Sequence, residues 1–114
     1  MANYPWKLIS QWIPKQNSKI WMDILSDNLS WQQPKVRLYG KEYLVPRKTV
    51  FLGELGIEYK YSGVIHEASG WPDWFYPLLN KIRDSSKIDF NGCLINFYRD
   101  GNDRMGWHAD NERE

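Results

Sequence analysis

One cysteine, Cys93, and two histidines, His66 and His108, are all that 114 residues provide. An internal disulfide and every Cys-rich zinc pattern are excluded, and three histidines cannot meet on one metal within this sequence. Any metal site must therefore draw on carboxylates. No run of apolar side chains exceeds three residues, whereas a membrane-spanning helix needs ~20. The N-terminal Met1-Ala2-Asn3-Tyr4-Pro5-Trp6 offers no apolar signal-peptide core. The expected setting is the cytoplasm, or the nucleus in a eukaryote, with no membrane partner. Repeats and low-complexity tracts are missing too, and glycine and proline fall singly, as turn punctuation.

What is present suits one compact unit. Apolar residues make up 42% and charged residues 25%, with Trp 7, Tyr 7 and Phe 4, an aromatic content that argues against intrinsic disorder. The net charge of +1 hides a polarity: eight basic residues face three acidic ones up to Lys48, and seven face eleven after it. A basic, aromatic-laced segment attracts a phosphate backbone, and an acidic one suits a cation. Two solvated faces without a partner would give the same balance.

Periodicity divides the chain into elements. Ser18, followed by Ile20, Trp21, Ile24 and Leu25, predicts an N-capped helix from 18 to about 29. Trp74, Leu78 and Ile82 predict a second from about Pro72 to Ser85, with Pro77 tolerable only in an early turn. Lys35 to Leu38 and Tyr43 to Val45 flank a turn at Gly40-Lys41 and predict a hairpin, followed by strands at Thr49 to Leu52 and Glu58 to Ile65. In Cys93-Leu94-Ile95-Asn96-Phe97-Tyr98, strand alternation puts Leu94, Asn96 and Tyr98 on one face and Cys93, Ile95 and Phe97 on the other. Cys93 thus reads as a small core residue. Arg99 to Asp103 is turn chemistry, after which Met105 to Asp110 resumes an extended pattern. There, His108 and Asp110 share a side, with Cα atoms ~6.5 to 7 Å apart, and both side chains can reach one ion. His-x-Asp supplies two of the three ligands of a facial ferrous site, yet the tripeptide alone also describes an exposed polar strand end.

Taken together, Pro46-Arg47-Lys48, Tyr59-Lys60-Tyr61-Ser62-Gly63, Leu94-Ile95-Asn96-Phe97-Tyr98 and Met105-Gly106-Trp107-His108-Ala109-Asp110-Asn111-Glu112 resemble the AlkB-like Fe(II)/2-oxoglutarate-dependent dioxygenases, closest to their nucleic-acid repair branch. The resemblance covers about residues 35 to 114. It implies an α+β chain forming the N-terminal part of a double-stranded β-helix (jelly-roll), with flanking helices and a nucleotide-recognition hairpin. Residues 1–48 would be the basic helix and hairpin segment, and 49–114 the start of the catalytic core.

By the same resemblance, His108 and Asp110 are iron ligands, and Asn96 and Tyr98 bind 2-oxoglutarate. Tyr61, Ser62 and Glu112 face the damaged base, Tyr39 at the hairpin tip is the wedge that fills the gap left by a flipped base, and Arg47 contacts nucleic acid. Lys35, Arg37, Lys41 and Lys48 would add phosphate contacts, while His66, 42 positions upstream of His108, is structural. The implied reaction is oxidative dealkylation of N-alkylated bases in DNA or RNA with Fe(II), 2-oxoglutarate and O2. The family's distal histidine and cosubstrate-binding arginine would lie beyond Glu114, so this chain alone is expected to be inactive, or to need a complementing C-terminal half. Two alternatives stay open: a nucleic-acid-binding remnant without catalysis, and a related dioxygenase acting on a protein or small molecule.

Overall fold

The computed structural model describes residues 4–61, with Tyr61 by its backbone, and 64–105. Residues 1–30 and 31–114 form two compact units. The first contains helix α1 (Lys15–Asn28). It begins at Pro14, not at the Ser18 cap the sequence suggests: the Pro14 carbonyl accepts the N–H groups of Asn17 and Ser18 at 2.9 and 3.0 Å, and the Ser18 hydroxyl bonds Lys15 O within the helix. Trp21, Ile24 and Leu25 are half-buried, and Ile20 is exposed.

The second unit opens with an antiparallel hairpin, β1 (Lys35–Leu38) and β2 (Lys41–Leu44). Its two turn residues are Tyr39 and Gly40, one position before the predicted pair. Both have positive φ, 53° and 77°, the pattern of a type I′ turn whose twist matches that of the strands it joins. Strand β3 (Lys48–Gly53) then pairs antiparallel with β6 (Gly92–Phe97), setting Thr49 opposite Asn96 and Phe51 opposite Leu94. On its other edge β3 is bridged at Thr49 by Gln32. Close approach fixes this pair at one end, where a Cβ on Gly53 would stand 2.7 Å from the Asn91 carbonyl and 3.2 Å from Ala68 Cβ.

The predicted single strand from Glu58 to Ile65 is two strands, β4 (Glu58–Tyr61) and β5 (Val64–Glu67), paired antiparallel. A 3-10 turn (Asp73–Phe75) leads into α2 (Tyr76–Ser86), with Pro77 in the first turn, where its missing N–H has no partner to lose. Trp71, Phe75, Leu78 and Leu79 are buried with Val45, Leu52 and Ala68. The Trp71 and Phe75 rings stack at 5.4 Å, and Trp74 meets Phe75 edge-on at 6.0 Å. Glu54, just past β3, accepts from Trp71 Nε1 at 2.9 Å and Arg83 Nη2 at 3.3 Å, and that Nη2 also donates to Phe90 O at 2.8 Å. Helix and sheet are thus tied through one carboxylate.

The architecture is mixed helix and strand, the α+β class expected. The described residues form three two-stranded sheets, and these do not make up a jelly-roll. No helix among them is long and apolar enough to cross a membrane.

Candidate nucleic-acid and cosubstrate site

The alternation expected for β6 carries into the sheet. Leu94 and Asn96 lie on the face shared with Phe51 and Thr49, while Cys93, Ile95 and Phe97 lie with Leu52, Val50 and Lys48. The second face is the apolar one: Phe97 meets the Trp31 ring at 5.3 Å, and burial pushes the Cys93 thiol up, keeping it protonated and unreactive. Asn96 and, just past the strand, Tyr98 are both exposed. An amide and a phenol at i and i+2 can serve one carboxylate-bearing ligand as donors.

From Tyr98 the chain turns through a tightly bonded loop. The Asp103 carboxylate accepts from Arg99 Nε at 2.7 Å, from Arg99 Nη2 at 2.9 Å and from the Arg99 backbone N–H at 2.9 Å. These bonds, with the attraction of Arg99 and Lys48, hold its pKa down to about 2. Asp100 Oδ1 accepts the Asn102 N–H at 2.8 Å, and Asp100 O accepts the Asp103 N–H at 3.2 Å. Next, the Arg104 N–H donates to Pro46 O at 2.9 Å, joining the loop to the start of β3. Sequence reasoning gave this loop its turn but not its clamp, although Arg and Asp four positions apart were visible.

A groove of about 440 Å³ opens where these pieces meet. Val36, Leu38 and Tyr43 of the hairpin give it an apolar wall, and Arg47, Arg104 and Met105 also line it. Arg47 is only 7% exposed, and its covered Nε has no hydrogen-bond partner among the described residues. At the hairpin tip Tyr39 is fully exposed. Lys35, Arg37 and Lys41 are exposed along the hairpin, and Lys48 is half-buried.

His66 lies on β5 opposite Tyr59, whose ring stacks on Phe51 at 5.6 Å. Partial burial lowers its pKa and favours the neutral imidazole. His108, Asp110, Glu112 and Ser62, and the side chain of Tyr61, lie outside the described residues. Among the described residues no cluster of three His, Cys, Asp or Glu side chains could hold a metal. The chemistry of the donor set fits the family's groups: imidazole and carboxylate suit ferrous ion, and Asn96 and Tyr98 present donors suited to an oxo-diacid.

Comparison with known proteins identifies the family. The model of the 2OG-Fe(II) oxygenase superfamily matches residues 6–114. The DNA oxidative demethylase ALKBH2 of Arabidopsis thaliana is 32% identical over 111 residues, 92% of this chain and 35% of that protein. The Homo sapiens ALKBH2 is 39% identical over 84 residues, 70% and 31% of the two chains. The Mus musculus alpha-ketoglutarate-dependent dioxygenase alkB homolog 3 is 33% identical over 94 residues, 80% and 32%. The chain spans about a third of the length of these curated relatives. It belongs to the 2OG-Fe(II) oxygenase superfamily, a family of dioxygenases that use Fe(II) and 2-oxoglutarate, and within it is similar to the AlkB-like demethylases.

Proposed function

We propose that this chain is the nucleic-acid-gripping and cosubstrate-binding front of an oxidative demethylase that removes N-alkyl groups from bases in DNA or RNA. The observation that carries it is the groove in which Arg47 stands with the apolar side chains of Val36, Leu38 and Tyr43. A nucleotide supplies both a phosphate for the Arg47 cation and a flat ring for the wall. A relative acting on a protein would leave the adjoining basic hairpin without a role.

Each residue then has a task. Tyr39, fully exposed at a positive-φ turn, fills the stack where a base is extruded. Asn96 and Tyr98 orient 2-oxoglutarate by hydrogen bonds, His108 and Asp110 hold the metal, and Tyr61, Ser62 and Glu112 form the base pocket. When bound, Fe(II) would let O2 hydroxylate the N-alkyl carbon, with 2-oxoglutarate as the two-electron reductant that leaves as succinate and CO2, and the resulting hemiaminal would then lose an aldehyde. The protein's share is to place that carbon and exclude water. The fold proposed for the whole enzyme is a jelly-roll, completed by strands outside this chain. The third ligand and the cosubstrate arginine belong to that remainder, so turnover is expected only where a longer or complementing polypeptide provides them.

The test is formaldehyde release from DNA containing 1-methyladenine or 3-methylcytosine, using a polypeptide of the relatives' length. Activity should require iron and 2-oxoglutarate and should disappear in His108→Ala and Asp110→Ala. Release that survives both substitutions unchanged would overturn the site. Salt-sensitive DNA binding without cosubstrate consumption would favour a non-catalytic binding remnant instead.

A further inference from the structure

Arg104 was not singled out by any motif, yet the fold brings it to the same groove as Arg47. It arrives there by two constraints. Its own N–H is bonded to Pro46 O, one residue before Arg47, at 2.9 Å. Its chain neighbour Asp103 is held by three hydrogen bonds to Arg99, so the backbone entering Arg104 has little freedom to move. Arg104 is exposed, no salt bridge engages its side chain among the described residues, and the groove it lines is open.

We infer that Arg104 is a second phosphodiester-contacting residue, lining the same groove as Arg47, and that the Arg99–Asp103 clamp is the positioning device that holds it there. The inference rests on the nucleic-acid reading of the groove and adds to it a residue and a cause. The chemistry requires no oxidant or metal. Two arginines lining one groove with Val36, Leu38 and Tyr43 match a nucleotide lying with its ring on the apolar side chains and its phosphate against the arginines. Arg47 is fixed by burial. Arg104, on the surface, depends for its place on the bonded loop behind it.

Counterion release provides a direct count of such contacts. On duplex DNA each lost phosphate contact lowers the slope of log affinity against log salt by about 0.9. The probe is a fluorescein-labelled DNA duplex, titrated with the 114-residue chain by anisotropy at several salt concentrations. Arg104→Ala is expected to lower the slope by about 0.9, and Arg104→Lys, which keeps the charge, to restore most of it. Asp103→Asn keeps Arg104 but weakens the clamp, and should lower the slope by a similar amount with helical circular dichroism unchanged. A wild-type slope retained in Arg104→Ala would refute the contact. A slope lost in Arg104→Ala but kept in Asp103→Asn would refute the positioning role. A folded wild-type chain with no salt-dependent binding would remove the nucleic-acid reading itself, and this inference with it.

Discussion

Arg47 and Asp103 hold the two most telling side-chain environments in the chain, for opposite reasons. A buried donor without a partner costs about 1 to 3 kcal/mol, and Arg47 Nε is such a donor. Arg83 Nε is in the same condition, yet Arg83 Nη2 bonds Glu54 and Phe90 O, and Arg47 has no such side-chain anchor among the described residues. Arg47→Met retains length and apolar stem, so the thermal midpoint should stay level or rise, while affinity for a labelled oligonucleotide falls at least about tenfold. Parallel loss of both would mark Arg47 as structural. Asp103 is the reverse case, a carboxylate with every bond made. Its pKa of about 2 lies below the ordinary carboxylate value. The stability it contributes is therefore complete above about pH 4 and is lost as pH falls toward 2. Its carboxyl-carbon NMR signal should titrate near 2 and move toward the ordinary range in Arg99→Gln. A wild-type midpoint near 4 would mean that the clamp does not form in solution.

Elements show where sequence pattern and tertiary structure part company. The β6 alternation and the early placement of Pro77 in α2 were legible, because strand parity and proline sterics are local. The β4–β5 hairpin was not. Glu58 to Ile65 is rich in β-prone residues, and the only break is Ser62-Gly63, a turn signal two residues long. The burial of Arg47 was equally hidden, since nothing in Pro46-Arg47-Lys48 distinguishes a surface cation from a buried one. For the β1–β2 turn the sequence pointed to Gly40, but not to Tyr39 sharing its left-handed backbone. That conformation costs a bulky residue about 1 to 2 kcal/mol, less for asparagine. Tyr39→Asn should thus raise the melting temperature of the chain slightly. If Tyr39 is the wedge, the same substitution weakens duplex binding, and its effect on a single-stranded probe, which has no stack to fill, is smaller. Equal weakening on both probes would reduce Tyr39 to a general contact.

Across the whole molecule, the three sheets differ in what supports them. The β3–β6 pair is backed by Ala68 at Gly53 and tied to α2 through Glu54 and Arg83. The β1–β2 strands are almost wholly exposed, and β5 presents Val64 and Ile65 to solvent at 53% and 61%. A two-stranded hairpin is marginal in water unless a third strand or a packed face supports it, and open apolar edges invite another strand. Amide hydrogen exchange on the 114-residue chain should therefore rank β3, β6 and α2 as slowest, with β1–β2 and β4–β5 exchanging at least about tenfold faster, because local opening there breaks few buried contacts. In a polypeptide of the relatives' length, the proposed jelly-roll strands would cover these edges, and hairpin protection should rise toward that of β6. Uniform protection of all three sheets in the short chain would show that contacts within residues 1–114 already stabilise the hairpins, leaving the added strands no edge to complete.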